Sequence, residues 1–465
     1  MKKTAVALAV LLLLLAGTIS ASALELKADK IRPFGDNILT VTSDDGGMLT
    51  IEAFSGTIPL ENPATDMRIE PGSVDIPWQA LTYGGEPISQ GSLTLRATLT
   101  GADRTTEQTE ITVETGTPVP AVVCCLPAAQ SFHANGKNIL KVEVAVSAGG
   151  VCEITAAPKE QPDETVWRVR KQLSGKEPEV LRWDGKNLKH KICQPGEYVI
   201  TAKSVLCPEQ VSTATVTLLE EPLPAPELTV TGSLIPSDFS DDAEVWKALT
   251  EPVVIGDGPE GQGLRIMNAK SAWEGCAGTV SCRTVGLSVL QIDTDGWVKV
   301  GAWTQAAGYY TEGYVRADKL RVIRPNDRYG AVLDKKNQTL TIYERGKKLG
   351  TVTVSTGRTT AENRQADTHS GVYLLGTRME NFVTEGHTYC YPIRIDGYNL
   401  IHQMGYVKVN GTRNFDEELA LLGTKASHGC IRVDARISEE NSGLNAWWIW
   451  THLGHDTKII ITPEE

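Results

Sequence analysis

Between Leu24 and about Thr117, apolar and polar positions alternate in short runs broken by Gly, Pro and Asp: Asn37-Ile-Leu-Thr-Val-Thr42, Gly47-Met-Leu-Thr-Ile-Glu52, Ser92-Leu-Thr-Leu-Arg-Ala97 and Glu110-Ile-Thr-Val-Glu114. A period of two sends alternate side chains to a core and to water, so each run predicts a strand. Such density with almost no helical stretch predicts a β-sandwich. The layout then repeats. Ile76-Pro-Trp-Gln79, Gln90-Gly-Ser-Leu-Thr-Leu-Arg-Ala97 and Glu110-Ile-Thr-Val113 parallel Leu181-Arg-Trp-Asp184, Gln194-Pro-Gly-Glu-Tyr-Val-Ile-Thr-Ala202 and Ala214-Thr-Val-Thr217. This internal repeat predicts two tandem sandwiches, 24–118 and 119–220, with Trp78 and Trp183 as core residues rather than carbohydrate platforms. Glu220-Glu-Pro-Leu-Pro-Ala-Pro-Glu227 opens a proline-rich, semi-rigid spacer over 221–240.

Alternation returns in Gly330-Ala-Val-Leu-Asp334, Thr339-Leu-Thr-Ile-Tyr-Glu344 and Lys348-Leu-Gly-Thr-Val-Thr-Val-Ser355, a β-meander that opens a last unit over 326–465. Asn414-Phe-Asp-Glu-Glu-Leu-Ala-Leu-Leu-Gly423 reads as a short helix with Asn414 as N-cap, acids in the first turn and Gly at the stop. Trp447-Trp-Ile-Trp450 reads as the buried face of a second helix, despite its look of a binding box. The expectation is a mainly β, multidomain chain whose last unit carries short helices.

A length of 465 residues implies about three or four domains. Met1-Lys-Lys3, the apolar run from Ala5 to Ala16 and Ala21-Ser-Ala23 form a signal peptide over 1–23, too short for a comfortable span. An exported protein of the cell wall, extracellular space or periplasm is expected, with no membrane span after signal removal. The net charge of −12 becomes −14 without Lys2 and Lys3, which excludes nucleic acid as a natural partner. Of nine cysteines, eight remain once Cys430 is set aside, an even number compatible with disulfides; Cys276 with Cys282 and Cys193 with Cys207 are candidate pairs. No cysteine or histidine cluster has zinc spacing, so neither a metal nor another cofactor is expected.

The chemistry concentrates in Lys425-Ala-Ser-His-Gly-Cys-Ile-Arg-Val433, with His402 upstream in Leu400-Ile-His-Gln-Met404. A thiol attacks as thiolate, so a nucleophilic cysteine wants an imidazole nearby and amide donors for the oxyanion it creates. Gly429 permits a tight turn and a close substrate approach, and N–H groups around Gly429 and Cys430 are candidate oxyanion donors. His402 and His428 are two candidate sources of the imidazole.

These residues resemble the L,D-transpeptidases of bacterial cell-wall synthesis, the YkuD family, whose signature is an upstream His followed by Ser-x-Gly-Cys-(Ile/Val)-Arg. The resemblance covers Arg328 to Thr462. Ser355-Thr-Gly357 and Thr368-His-Ser-Gly-Val-Tyr373 also resemble family strands, although His369 stands where proline is usual. The spacing of 28 positions between His402 and Cys430 (430 − 402) is longer than usual, and the insert Gly405 to Thr424 accounts for it. The resemblance implies Cys430 as nucleophile and His402 as general base, the alternative for His402 being a structural histidine of the sheet. Ser427, His428 and Gly429 shape the turn and the oxyanion hole. Gly376 to Ile395 corresponds by order to the loop that caps the site, which brings Tyr389 and Tyr391 forward as substrate-binding residues. Arg432 could grip a substrate carboxylate bidentately; its alternative is an ion pair with Asp434 or a nearby acid.

Two looser resemblances concern the accessory units. The repeat makes both sandwiches Ig-like by expectation, and in the second Trp183-Asp-Gly-Lys186 and Pro195-Gly-Glu-Tyr198 also resemble the immunoglobulin-like inserts of flagellar-hook and surface-layer proteins. Gly296-Trp-Val-Lys-Val300 and Glu312-Gly-Tyr-Val-Arg-Ala-Asp-Lys-Leu320 resemble the last strands of bacterial SH3-like domains, giving an SH3-like barrel over 241–325. Trp273, Trp297, Trp303, Tyr309 and Tyr310 there are either an aromatic groove for peptide or glycan, or barrel core.

The activity implied by the resemblance is transpeptidation: Cys430 attacks the third residue of a peptidoglycan tetrapeptide stem, D-alanine leaves, and an amine of an acceptor stem resolves the thioester to a 3→3 cross-link. Carbapenems are expected to acylate Cys430. Water in place of the amine would make the same site an L,D-carboxypeptidase. The competing reading is a non-catalytic wall-binding scaffold. A monomer is expected.

Overall fold

The alternating runs fold as strands, and the chain is a mainly β protein of several sheets. The computed structural model describes residues 24–464 apart from 34–36, 81–87, 89–90, 117–121, 176, 206, 209–210, 224–225, 233, 237, 272, 305–309, 361–362, 364–365, 380, 410–411 and 439. The expected signal peptide and Tyr309 lie outside the described residues.

In the first unit, strands Glu25–Ala28, Asn37–Ser43 and Gly72–Trp78 form one sheet, while Gly47–Ser55, Ser92–Thr100 and Thr106–Glu114 centre the other. Leu39, Val41, Leu49, Ile51, Leu93 and Leu95 alternate inward from both sheets into one dry core. The second unit repeats this arrangement, with a five-stranded sheet containing Gly150–Pro158 and Gly196–Ser204 and a three-stranded sheet containing Leu140–Val146 and Glu179–Trp183. Trp183 is fully buried there, with the rings of Phe132, Trp167 and Tyr198 centred 5.6 to 5.8 Å away. Trp78 is buried at the matching strand end of the first unit, so both tryptophans are core.

The third unit pairs Val253–Gly256 with Leu320–Ile323 and carries a five-stranded sheet from Gly263–Met267 to Tyr310–Arg316. Its aromatic residues divide between roles. Trp297 lies under the Arg316 guanidinium, Trp273 stands 96% exposed, and Trp303 and Tyr310 line a cavity of about 380 Å³ against Val372 and Tyr373 of the last unit. Cys276 and Cys282 cannot pair. Cys276–Ser281 is one extended strand, and six steps at about 3.3 Å place the two residues far beyond the roughly 7 Å limit for a disulfide.

Helix Asp242–Thr250 was not legible as alternation. Asp241 caps it by accepting the Ala243 N–H at 2.9 Å, and its Val245 and Leu249 bury against Val332, Tyr343 and Ile460 of the last unit. That last unit is a large sheet ordered Gly371–Leu374, Lys458–Ile461, Tyr329–Asp334, Thr339–Glu344, Lys347–Gly357, Ile431–Val433, Leu400–Gln403 and Ile393–Arg394. Helix Ala446–His452, capped by Asn445, lays Ile449 and Trp450 on it, as its apolar run predicts.

Two other units grip this sheet. Thr284 to Gly286 of the third unit run beside Val372–Leu374, with the Leu374 and Gly286 N–H groups donating across at 2.8 Å. Glu143 of the second unit pairs with Arg378, whose Nε donates to the Trp450 carbonyl at 2.8 Å, and both partners are buried.

Candidate active site

Strand Leu400–Gln403 runs parallel to Ile431–Val433, with Ile401 beside Ile431 and His402 beside Arg432. One residue back along that register, Leu400 faces Cys430. Cys430 directly precedes Ile431–Val433, so the register brings the Cys430 turn to the end of the strand that runs beside His402. The structure forms no direct hydrogen bond between the Cys430 sulfur and the His402 imidazole, which is common before substrate tightens a site.

Cys430 is partly exposed at the end of a turn that explains its neighbours. Ser427 Oγ accepts the Gly429 N–H at 3.2 Å and donates to the Cys430 carbonyl at 2.5 Å. Gly429 has φ +120°, and a Cβ there would sit 2.3 Å from Asn399 Oδ1, so only glycine fits. Thr368 Oγ1 donates to the Gly429 carbonyl at 2.8 Å and accepts the Gly357 N–H at 2.9 Å. With that carbonyl held, the trans peptide aims the Cys430 N–H the opposite way. Among the described residues the Cys430 and His428 N–H groups make no hydrogen bond, whereas the Gly429 N–H, an expected oxyanion donor, is taken by Ser427. The His428 side chain is exposed.

His402 is 3% exposed. Its Nδ1 lies 2.8 Å from the Gln403 carbonyl, an acceptor only, so Nδ1 carries the proton and Nε2 keeps its lone pair. Burial drives its pKa down to about 4, with Arg432 adding to the fall and the Gln403 bond opposing it. Burial likewise pushes the Cys430 thiol up, while the Leu400 N–H and Arg432 stabilise the thiolate and Asp396 opposes it. Both groups rest neutral, a geometry suited to general-base activation rather than a preformed ion pair.

A hairpin of Phe382–Thr384 and His387–Tyr389 covers the imidazole, with the Tyr389 and Phe382 ring centres 4.9 and 5.4 Å from it. The hairpin is fastened to the insert: Thr388 and Tyr406 exchange backbone bonds, and the Tyr389 hydroxyl donates to Glu418 at 3.3 Å. Burial pushes that phenol up to about 12. The insert itself holds a second hairpin, Val407–Val409 with Thr412–Asn414, and a helix shorter than expected, Asp416–Leu419, where Asn414 Oδ1 accepts the Asp416 N–H at 2.9 Å.

Two expected substrate contacts are corrected. The strand ends at Tyr389, and φ +59° at Tyr391 turns its ring onto Trp447 and Trp450, 4.9 and 5.6 Å away, beneath the C-terminal helix. Arg432 is 8% exposed and its Nη1 is paired with Glu418 at 2.9 Å, so its guanidinium is not open to a ligand. Asp396, Asn399, Thr368 and Glu418 were missed as site residues. Asp396-Gly-Tyr-Asn399 did carry a turn signature, since Asp side chains close such loops on their own backbone.

Residues 328–461 match the family model of the L,D-transpeptidase catalytic domain, YkuD. The last unit is an L,D-transpeptidase domain. An L,D-transpeptidase from Mycobacterium smegmatis is 14% identical, with a TM-score of 0.24, over 46% of this chain and 92% of that one. One from Mycobacterium tuberculosis is 14% identical, with a TM-score of 0.25, over 49% and 87%. The L,D-transpeptidase LdtMt1, solved in complex with imipenem, is 14% identical, with a TM-score of 0.23, over 46% and 92%. None of the curated proteins matches the chain. Among the described residues of the L,D-transpeptidase domain and the units before it, no helix is long and apolar enough to cross a membrane, and no group of three His, Cys, Asp or Glu could hold a metal ion.

Proposed function

We propose that the chain is an exported peptidoglycan L,D-transpeptidase in which Cys430 is the nucleophile and His402 the general base. The observation that carries this is the parallel register that sets His402 beside the Cys430 turn, with a free lone pair on Nε2 and an unengaged Cys430 N–H. Nε2 takes the thiol proton as Sγ attacks the carbonyl of the third stem residue. The oxyanion forms beside the Cys430 N–H, with the His428 N–H as second donor. The C–N bond breaks, the imidazolium returns its proton to the amine, and D-alanine leaves a thioester. An acceptor amine attacks that thioester, gives its proton to His402, and the released thiolate is reprotonated as the 3→3 amide forms. Two moderate barriers replace one high one.

The imipenem complex of LdtMt1 supports a probe for this site. Mass spectrometry of the purified chain after imipenem treatment is expected to show one covalent adduct, absent in Cys430→Ala. No adduct under any condition would favour the non-catalytic scaffold. A muropeptide digest then separates cross-linking from trimming: 3→3 dimers support the transpeptidase, and tripeptides alone support the carboxypeptidase.

A further inference from the structure

The turn between strands Val253–Gly256 and Gly263–Met267 belongs to the third unit, yet it delivers Glu260 into the catalytic domain. The Thr377 N–H lies 3.0 and 3.1 Å from its two oxygens, and the Thr377 hydroxyl donates to Oε2 at 2.9 Å. Arg394 Nε is 3.3 Å from Oε1 and His455 Nε2 is 3.6 Å from Oε2. Gly376 leaves the space, because a Cβ there would meet Oε1 at 2.7 Å. Burial alone would neutralise His455, but its bonds to Asp456 and Glu260 raise it to about 10. Two cations therefore flank one carboxylate at this junction.

Arg394 carries the contact onward. Its Nη1 donates to the carbonyls of Gly397 at 3.0 Å and Asp396 at 3.5 Å, in the turn that joins strand Ile393–Arg394 to Leu400–Gln403. Asp396 closes the same turn by accepting the N–H groups of Tyr398 and Asn399 at 2.8 and 2.7 Å and Asn399 Nδ2 at 2.9 Å. The far side of that turn meets the nucleophile: Asn399 Oδ1 fills the space a Gly429 side chain would need, and the Leu400 N–H faces the Cys430 sulfur. An arginine side chain is long and flexible, and its plane is fixed only when several of its donors are engaged. Nη2 donates to Met379 Sδ at 3.2 Å, and Glu260, 3.3 Å from Nε, is the ion-pair partner that ties this guanidinium to the third unit.

We propose that Glu260 is a positioning residue for Cys430, acting through Arg394 and the Asp396–Asn399 turn, so that the third unit completes the active site of the fourth. This rests on the reading of Cys430 as nucleophile. A displacement of about 1 Å at a reacting group costs up to about a hundredfold in rate.

The test uses the full chain with Glu260→Ala, Glu260→Gln and Arg394→Lys, held well below each variant's thermal transition. Two rates are read at Cys430: imipenem acylation, and iodoacetamide alkylation against pH, followed by the mass of the Cys430 peptide. The expected result is acylation slowed roughly tenfold in all three variants, with full adduct at the end point and a shifted alkylation profile. Wild-type rates and profile in Glu260→Ala and Arg394→Lys would overturn the proposal, whatever their Tm. If Glu260→Ala does not fold, Glu260→Gln and Arg394→Lys decide. If the wild type takes no imipenem, the functional reading fails by itself, and the alkylation profile still decides the role of Glu260.

Discussion

Arg432 is paired with Glu418, its Nη1 lying 2.9 and 3.1 Å from the two carboxylate oxygens. Asp434, nearer in the chain, is instead held by Arg436 and Asn441 at 2.9 to 3.1 Å. The insert that lengthens the spacing between His402 and Cys430 therefore supplies the counter-ion for an arginine two residues from Cys430. The Tyr389 ring lies under that guanidinium at 5.4 Å, so the hairpin over His402, the insert and strand Ile431–Val433 meet at one buried charge pair.

Glu418→Ala strands a buried guanidinium, which should cost about 3–5 kcal/mol in urea unfolding. Replacing both partners, Arg432→Met with Glu418→Leu, should recover most of that loss, because an apolar pair needs no desolvation to be repaid. A double variant as unstable as the single one would show that the pair does more than neutralise itself.

The His402 pKa of about 4 makes two linked predictions. The base stays neutral far below the ordinary histidine value of about 6.5, so the acid limb of imipenem acylation should fall near pH 4. His402→Gln should abolish that limb and slow acylation by about 10²–10⁴. For stability, a depressed histidine pKa means that the unfolded chain binds the proton more readily. Its contribution is full above about pH 6.5 and is lost as pH falls to about 4, a difference of about 3 kcal/mol. A His402→Gln chain should show a shallower drop in Tm across that window.

The chain's pattern reveals strands and conceals their meetings. Alternation is local, so Ser92–Thr100 or Thr339–Glu344 can be read from a few neighbours, and Trp183 follows from the repeat it sits in. Ser427, Gly429 and Cys430 were legible because one turn needs all of them within four residues. Glu418 and Glu260 were not, since a carboxylate looks the same whether it faces water or a guanidinium far along the chain. Tyr391 misled because correspondence by order places a loop but not the direction of each side chain, and φ +59° turns this ring away. Helix Asp242–Thr250 was hidden by length, with just Val245 and Leu249 to mark its buried face.

Thr368→Val should separate the turn's geometry from its chemistry. Valine keeps the shape but leaves the Gly429 carbonyl and the Gly357 N–H unpaired in the interior, at about 1–3 kcal/mol each. The freed Gly429–Cys430 peptide can then rotate, moving the Cys430 N–H off the oxyanion position. Acylation by imipenem should slow about tenfold or more while iodoacetamide, which forms no oxyanion, alkylates Cys430 near the wild-type rate. Equal slowing of both reagents would place the effect on the sulfur instead.

Glu143→Gln tests whether the second unit and the catalytic domain unfold together. The Arg378 guanidinium is 4% exposed and also binds the Trp450 and Leu453 carbonyls, so it cannot swing out to water when its carboxylate partner is lost. Leaving that charge uncompensated should cost about 3–5 kcal/mol, and the cost falls on the surface where Cys124 and Ala145 join the same core as Trp450 and Leu453. Calorimetry of the wild type is expected to give one transition spanning both units. The variant should split it, with the second unit, which keeps its own core around Trp183, melting apart from the catalytic domain. A single unsplit transition lowered by the full amount would mean that the apolar part of this surface, and not the ion pair, couples the two units.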